Sequence, residues 1–414
     1  MEPVHDILSP DTQKGEQAQP EVSKNVVIMG VVSFFTDVAS EMVYPILPIF
    51  LTATLGAPMT IVGLMEGLAA SALNMLKIVS GWLSDKYQKR KIIVVVGYSI
   101  SALAKLVVAM SSGWHTAMFG KVLDRTGKGT RSSPRDALIA DSTLAEHRGR
   151  AFGLHRAIDN AGAIIGPLLA IYLLFFLHIE IRSIFYIAFI PALIGVICLI
   201  LFVKDIHTKP VNHTVFRFKL TDLSPSFKVF LAISIVFALG NSADAFMILK
   251  AKDMGMPIEL ILVLYALLNL THSLSSYPAG IVSDKIGPKK VLLIGFLLFA
   301  LAYILFGSIT APFFLWLLFP LFGFYRGLTE GVSVAYVSNL VKEEHTATAI
   351  GFYQTMIGFS ILLASLIAGV MWESLGSAAP FLFGGSMAII ASLLFIILEK
   401  KINHISLFAK TPNP

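Results

Sequence analysis

The feature that most constrains this chain is a succession of long apolar stretches, each near the ~20 residues that a membrane-crossing helix needs. Twelve such stretches lie near residues 25–50, 60–80, 92–111, 114–136, 151–177, 183–203, 229–250, 257–279, 290–309, 312–340, 348–371 and 378–398. Most are too long for strands, and the alternating pattern of an outer-membrane barrel is missing from the sequence. The sequence therefore predicts an all-α membrane protein with twelve transmembrane helices.

The composition also favours a membrane protein. Only 14% of the residues are charged and 56% are hydrophobic, whereas soluble domains average about 25% charged. Charges this sparse cannot cover the surface of a soluble protein of 414 residues. The single cysteine, Cys198, excludes an intrachain disulfide and with it a disulfide-stabilised scaffold.

Basic residues are distributed unequally between the two sides of the predicted helices. Fifteen lie in loops after even-numbered stretches or in the central polar segment: Lys86, Lys89, Arg90, Lys91, Arg148, Arg150, Lys204, Lys209, Arg217, Lys219, Lys228, Lys285, Lys289, Lys290 and Lys342. The opposite side carries mainly Arg182, Lys250 and Lys252. Because cytoplasmic loops are enriched in Lys and Arg, we expect both termini in the cytoplasm and the protein in the cytoplasmic (inner) membrane. The net charge of +6 then reflects topology, and we expect no nucleic-acid partner.

Two polar tails and one polar linker divide the chain. Residues 1–24 lack the apolar core of a signal peptide, so we interpret them as a cytoplasmic tail. Residues 25–203 and 229–398 form two predicted six-helix halves, separated by a cytoplasmic linker at 204–228. Residues 399–414 form a second predicted cytoplasmic tail.

The two halves repeat one another in sequence. The string Gly-Trp-Leu-Ser-Asp-Lys at 81–86 returns as Gly-Ile-Val-Ser-Asp-Lys at 280–285, an offset of 199 residues. A second echo, which begins with Glu-His, starts at 146 and again at 344, an offset of 198 residues. Two matches at nearly one offset indicate pseudo-symmetric halves in parallel repeat, which is an architecture of secondary transporters.

These motifs carry a family resemblance. From about residue 25 to 400 the sequence resembles the major facilitator superfamily, and residues 34–42 and 124–141 resemble a bacterial branch of presumed drug or metabolite transporters. The family's loop motif between the second and third helices is matched by Gly81, Asp85 and Arg90, and its second copy by Gly280, Asp284 and Lys289. A fifth-helix motif associated with antiporters is matched by Gly162, Gly166 and Pro167.

The resemblance implies a transporter with the two-half fold of that family, and it implies no enzyme activity. It also implies that the loop motif locks the outward-open state through charge contacts and helix-terminus dipoles. We assign a gating role to both copies of the motif and to three charged residues near the cytoplasmic end of the fourth helix: Arg135, Asp136 and Asp141.

The fourth apolar stretch is unusual because it contains seven ionisable residues on one helical face: Lys121, Asp124, Arg125, Lys128, Arg131, Arg135 and Asp136. Each such residue costs roughly 2.5–3.5 kcal/mol at the bilayer centre, so this face should turn toward the protein interior or a watery cavity. Arg125 and Lys128 should lie near mid-membrane. They either bind substrate or relay protons, or they belong to a structural network of ion pairs.

The first helix places Asp37 and Glu41 one turn apart on the same face. Asp37 lies ~12 residues into the helix, or roughly 18 Å deep. A carboxylate at that depth is either paired with a cation or able to change its protonation state. We therefore predict that Asp37 and Glu41 couple transport to protons. The alternative is a permanent salt bridge to Arg125 or Lys128.

Further polar residues inside the predicted helices are candidates for lining the cavity: Glu66, Asn74, Asp244, Tyr325 and Arg326. The first half holds eight intramembrane bases and six acids, which leaves a surplus of two positive charges. The bases are Lys77, Lys105, Lys121, Arg125, Lys128, Arg131, Arg135 and Arg156, and the acids are Asp37, Glu41, Glu66, Asp124, Asp136 and Asp159. This surplus admits an anionic or zwitterionic substrate.

No motif indicates a cofactor or a metal. The string Thr-Gly-Lys-Gly-Thr at 126–130 lacks the spacing of a phosphate-binding loop, because Lys128 is followed by Gly129. No Cys/His cluster has metal-site spacing. ATP-driven transport is therefore unsupported, and we expect neither cofactor nor metal.

Three functions remain open from the sequence. The first is proton-coupled export (antiport, efflux) of a small organic compound by alternating access. The second is proton-coupled uptake of an anionic metabolite or siderophore, and the third is a membrane sensor or assembly partner that transports nothing. The expected partners are a small-molecule substrate, protons and the lipid bilayer, with the protein acting as a monomer.

Overall fold

The computed structural model describes residues 23–87, 89–144, 148–205, 224–341 and 346–408. Within these ranges the chain forms twelve long helices and no strand. They are α1 (Lys24–Val43), α2 (Met59–Tyr87), α3 (Arg90–Ala109), α4 (Trp114–Asp141), α5 (Arg148–Ile171), α6 (Ile181–Phe202), α7 (Pro225–Gly240 and Ala245–Asp253), α8 (Ile258–Ile286), α9 (Pro288–Ser308), α10 (Leu315–Asn339), α11 (Thr346–Leu375) and α12 (Ala379–Phe408). Most of the predicted linker and tails lies outside the described residues.

Eleven of the described helices are long and apolar enough to cross a membrane. The exception is α4, whose charged face lowers its hydropathy. Glycines let α4 pack closely on its neighbours: a Cβ on Gly127 would lie 2.6 Å from the Gly97 carbonyl oxygen of α3, and one on Gly129 would lie 2.6 Å from the Leu73 carbonyl oxygen of α2. The charged helix is therefore enclosed by the bundle, and the predicted twelve-helix fold is confirmed.

Two helices are interrupted near the end of the bundle away from the termini. After α1, the chain turns at Tyr44–Ile46, where Pro45 provides no backbone donor, and continues through Leu47–Ile49 and a π-helical turn, Phe50–Thr54. In α7 the interruption lies between Gly240 and Ala245. The segments beyond the two breaks contact one another, so α1 and α7 meet across the molecule.

The buried apolar side chains form two clusters. One draws on α1 to α6, from Val26 to Val203, and includes Leu262 of α8. The other draws on α7 to α12, from Phe227 to Phe395, and includes Ile49 and Val62 of the first half. Each six-helix set therefore packs mainly around its own core.

Several helix ends differ from the predicted bounds, and two of them change the bounds of the predicted linker and tail. Helix α7 begins at Pro225 because the Ser224 hydroxyl accepts a hydrogen bond from the Phe227 backbone N–H, which caps the helix before residue 229. Helix α12 continues to Phe408, beyond residue 398, since neither Gly nor Pro interrupts 399–408. The stretch predicted as a second tail is thus helical over 399–408.

The two six-helix sets touch at the end of the bundle opposite the termini, here called the far end. There Gly63 of α2 packs on the Ser365 carbonyl of α11. Close by, Thr60 donates to the Glu373 carboxylate, with its hydroxyl 2.6 Å from Oε2. At the other end, called the termini end, a Cβ on Gly331 or Gly351 would meet open space. The two six-helix sets are therefore in direct contact at the far end.

Candidate functional site

A polar cavity of about 340 Å³ lies between the first five helices and α11. Its lining is rich in charge: Ser33, Thr36, Asp37, Lys77, Tyr98, Lys128, Arg131, Ser132, Ser133, Arg135, Asp136, Arg156, Asp159 and Gln354. Five of these residues are basic and three are acidic. Gln354 comes from α11, so both halves contribute to the cavity, which we call the central cavity.

Contacts between α2 and α4 hold two lysines on one wall of the central cavity. The Ser133 hydroxyl of α4 donates to the Lys77 carbonyl oxygen of α2 at 2.8 Å. The Ser80 hydroxyl of α2 donates to the Gly129 carbonyl oxygen of α4 at 3.1 Å. Because these bonds tie the two backbones together, Lys77 and Lys128 are presented from a shared, rigid surface.

A second wall is held by Arg131 and a chain of hydrogen-bonding groups. Arg131 donates from Nη1 to the Ser101 hydroxyl at 2.6 Å, and its guanidinium lies 4.4 Å from the centre of the Tyr98 ring. The Tyr98 hydroxyl lies 2.9 Å from Ser33 Oγ, which lies 3.0 Å from His155 Nε2. The sequence did not predict Tyr98 or His155 as part of the site. Polar spacing on α3 at 98, 101 and 105 is the signal that indicates this face.

Four of the six intramembrane acids of the first half form ion pairs. Glu66 lies 3.0 Å from Lys121, Asp124 3.3 Å from Lys105, Asp136 2.8 Å from Arg135 and Asp159 3.8 Å from Arg156. Among the described residues, Asp37 and Glu41 have no basic group within ion-pair distance, and the buried Glu41 Oε2 lacks a hydrogen bond. The predicted proton-coupling acids are therefore the ones that the helix packing leaves without a counter-ion.

Four bases of the first half likewise have no acidic partner within the part of the chain that the structure describes: Lys77, Arg125, Lys128 and Arg131. Arg125 instead lies with its guanidinium 5.2 Å from the centre of the Tyr44 ring. Tyr44 packs on Tyr265 of α8, with ring centres 5.5 Å apart. Arg125 is thus placed where the two halves meet.

A second, much smaller cavity of about 30 Å³ lies deeper along α1 and α4. Glu41, Lys105, Lys121, Arg125 and Lys128 are among the residues that line it. Lys128 lines both cavities, so it stands between Asp37 in the central cavity and Glu41 in the small one.

The second half contains its own charged network, and it brings together three predicted site residues. Arg326 of α10 lies 2.6 Å from Asp244 at the break in α7 and 3.0 Å from Glu330. Glu330 also lies 3.2 Å from His272 of α8. The neighbouring Tyr325 hydroxyl accepts a hydrogen bond from the Asn241 side chain at 3.0 Å. The network ties α7, α8 and α10 together.

Two other cavity candidates lie apart from the central cavity. Glu66 is almost fully buried in its pair with Lys121. Asn74 of α2 lies against Gly358 of α11, whose added Cβ would meet the Asn74 amide. Both residues stand where helices touch, outside the lining of the central cavity.

The charged residues of the first copy of the loop motif lie in contact with one another at the termini end. Arg90 lies 3.4 Å from Asp85 and 3.0 Å from Asp141, so it joins the ends of α2 and α4. Gly81 faces Ser133 of α4, 3.3 Å from where its Cβ would be. Arg135 and Asp136, assigned the same gating role, pair with each other in the lining of the central cavity.

The second copy of the motif has a more open setting. A Cβ on Gly280 would meet nothing within 4 Å, and Asp284 is exposed, while Lys289 is half-buried. The pseudo-symmetric sequences therefore sit in different surroundings.

The fifth-helix motif packs α5 directly on α1. A Cβ on Gly162 would lie 2.5 Å from the Phe34 carbonyl oxygen, and one on Gly166 would lie 2.9 Å from Glu41 Cβ. Pro167 is buried beside them. The motif thus sets the distance between α5 and the helix that carries the unpaired acids.

The comparison with known families decides the identity of the fold. The profile described as Major Facilitator Superfamily matches residues 29–271 and 229–410. The chain belongs to the Major Facilitator Superfamily. This membership confirms the resemblance drawn from the loop motifs, and it identifies a multi-pass membrane transporter family, which is not a class of enzymes.

Superfamily relatives agree with this membership. An uncharacterized MFS-type transporter of Methanocaldococcus jannaschii is 38% identical over 95% of this chain and 100% of its own length. Quinolone resistance protein NorA of Staphylococcus aureus is 26% identical over 54% of this chain and 57% of its own. The crystal structure of nucleoside transporter NupG has a TM-score of 0.74 at 15% identity, covering 91% of this chain and 99% of NupG. At this identity the likeness to NupG shows a shared fold.

Proposed function

We propose that this superfamily member is a proton-coupled secondary transporter that exports a small organic compound by alternating access. The observation that carries the proposal is the unpaired state of Asp37 and Glu41, when the other four intramembrane acids of the first half are salt-bridged. An acid held by a fixed cation keeps its charge, whereas one without a counter-ion can bind and release a proton as its surroundings change.

The shape of the bundle supports alternating access. The halves meet at the far end through Gly63 and Ser365, and residues of both halves line the central cavity. Rocking of one half against the other would open and close the far end while Asp37 and Lys128 stay in the cavity between the halves. We propose, from the excess of Lys and Arg in the loops, that the termini end faces the cytoplasm of a bacterial-type inner membrane and that the protein acts as a monomer.

Two observations favour export as the direction. The glycines of the antiporter-associated motif place α5 directly against Glu41, so a movement of α5 would alter the surroundings of that acid. NorA, which shares 26% identity over about half of this chain, is named for quinolone resistance.

A second candidate, proton-coupled uptake of an anionic compound, is favoured by the unpaired bases. Lys77, Arg125, Lys128 and Arg131 outnumber the two unpaired acids. Protonation of Asp37 or Glu41 would leave the positive charge less balanced, so an anion would bind more tightly together with the proton. Binding of both in one state is the requirement for cotransport.

Flux in proteoliposomes tests the proposal and separates the two directions. The purified protein is reconstituted, a pH gradient of either sign is imposed, and accumulation is followed for a panel of labelled organic anions, zwitterions and cations. Accumulation against the proton flow indicates export, and accumulation with it indicates uptake. Asp37→Asn serves as the matched inactive protein, and Glu180→Gln, on an exposed acid at the far end, serves as the control. A flux that is independent of the pH gradient for every compound in the panel would contradict proton coupling.

A further inference from the structure

We infer that the transported compound carries an oxyanionic group, a carboxylate or a phosphate, and that Lys77 and Lys128 bind this group in the central cavity. The inference rests on the proposed proton-coupled transport, in either direction, since it names the chemical class of the transported compound. Three observations support it: the charge of the central cavity, the packing of α2 against α4, and the size of the cavity.

The first ground is the charge left over in the cavity after the ion pairs are formed. Arg135 is paired with Asp136, and Arg156 with Asp159. What remains in the lining is three bases, Lys77, Lys128 and Arg131, and a single acid, Asp37. The central cavity therefore carries an excess of positive charge that no described side chain neutralises.

The second ground is that the three unpaired bases are not equivalent. Arg131 is buried, stacked on Tyr98 and bonded to Ser101, so the protein already satisfies part of its guanidinium. Lys77 and Lys128 are half-buried, and the described residues provide neither an ion pair nor a hydrogen bond for either ammonium group. An ammonium group has three donors, so both lysines have donors available for a ligand in the cavity.

The third ground is that the wall behind the two lysines is rigid. The bonds from Ser133 to the Lys77 backbone and from Ser80 to the Gly129 backbone fix α2 against α4. The backbone positions of Lys77 and Lys128 are therefore held relative to one another. A bound oxyanion between the two side chains would accept a charge-assisted hydrogen bond from each ammonium group.

The size of the cavity and its position suit a metabolite-sized compound. About 340 Å³ lies within the range of ligand pockets, at roughly 300–1,000 Å³. Gln354 of α11 faces the cavity from the second half, so a compound held by Lys77 and Lys128 would also touch the half that must move.

Direct binding of two probe anions tests the inference. Labelled citrate and labelled inorganic phosphate are equilibrated with the purified full-length protein at constant chloride concentration, and bound anion is measured by equilibrium dialysis. Citrate represents a carboxylate and phosphate a phosphoryl group, so the two arms identify the oxyanion. We expect saturable binding of at least one probe, weakened at least about tenfold in Lys77→Gln and in Lys128→Gln.

Matched controls make the result decisive. Lys252→Gln removes an exposed lysine at the far end and should bind the probe as the unchanged protein does. No binding of either probe, or equal binding in all three variants, would overturn the inference. Displacement of the probe by phosphatidylglycerol at concentrations far below those at which citrate or phosphate binds would also overturn it, because the site would then be a lipid site.

The same assay separates this inference from the proposed function. Asp37→Asn should keep anion binding while it loses gradient-driven flux. If the unchanged protein shows gradient-driven flux but binds neither probe, the inference fails and the transport proposal stands. If it binds a probe through Lys77 and Lys128 but never responds to a gradient, proton coupling fails and the anion site stands.

Discussion

Lys121 Nζ lies 3.0 Å from Glu66 Oε1, and side-chain exposures of 5% and 6% place this ion pair deep between α4 and α2. The Tyr44 ring covers the ammonium group, with its centre 4.3 Å away. The pair shows one way in which a helix as charged as α4 is accommodated inside a membrane bundle, since Lys121 is matched by an acid on a neighbouring helix. Three other bases of α4 have no acidic partner among the described residues, and all three line cavities: Arg125, Lys128 and Arg131.

Removal of one partner of this buried pair should destabilise the fold. Glu66→Gln leaves Lys121 charged without a counter-ion, at an expected cost of about 3–5 kcal/mol. Thermal unfolding in detergent, followed by circular dichroism, measures the effect, with Lys252→Gln as the exposed control. A Glu66→Lys, Lys121→Glu double variant should recover much of the loss. An unchanged melting temperature in Glu66→Gln would show that the pair contributes nothing.

Asp37→Asn should abolish uphill transport in a pH gradient, since the amide can neither gain nor lose a proton. Downhill exchange of substrate should survive, because the cavity retains its shape and its lysines. Glu41→Gln should give a partial defect, as Glu41 lies one turn further along α1 in the small cavity. Flux with and without the gradient is the measurement. Full accumulation by Asp37→Asn would show that another acid couples transport to protons, with Glu66, Asp159 and Asp244 as the next candidates.

Asp85→Asn should slow turnover and shift the resting conformation toward the state that is open at the termini end. The variant loses a charged contact to Arg90, and because Asp85 is partly exposed, stability should change by less than about 0.5 kcal/mol. Labelling of Gly351→Cys in a Cys198→Ser background reports access at that end. Asp284→Asn, on an exposed residue of the second copy, should do less. Unchanged labelling together with unchanged flux would remove Asp85 from the gate.

Gly63→Ala should prevent the far end from closing fully. The added methyl would overlap the Ser365 carbonyl oxygen, which belongs to the backbone and cannot turn away. Transport should fall, and a cysteine at Thr60 should become more reactive from the far side. Gly331→Ala is the matched control, since its methyl would meet open space. Equal flux in the two variants would mean that the contact between α2 and α11 is not a gate.

Arg326→Lys should impair transport although the charge is kept. The planar guanidinium contacts Asp244 at 2.6 Å and Glu330 at 3.0 Å, whereas one ammonium group cannot match both directions. Flux and melting temperature are measured together, and we expect the flux to fall more. His272→Gln tests the outer part of the same network and should be milder. Normal flux in Arg326→Lys would assign the network a role in folding alone.

The fold was predictable because its signals are local. Apolar stretches of about twenty residues specify membrane-crossing helices one at a time, and the repeated loop motifs at 81–86 and 280–285 relate the two halves. The phase of the charges on α4 was also readable, because helical spacing places residues 121–136 on one face. Tyr98 and His155 were not predicted: the polar spacing at 98, 101 and 105 indicates a face of α3, but the partners of Tyr98 and His155 come from other helices.

Ion pairing is what the sequence by itself did not decide. It determined the helices, the family motifs and an excess of bases over acids, all of which follow from residue type and spacing along the chain. Only the tertiary structure decided that Glu66 forms an ion pair with Lys121, 55 positions away. It also decided that Asp37 and Glu41 have no cation within ion-pair distance among the described residues. The physical reason is that a charge inside a membrane is governed by its nearest neighbours in space, and those are set by how the helices pack.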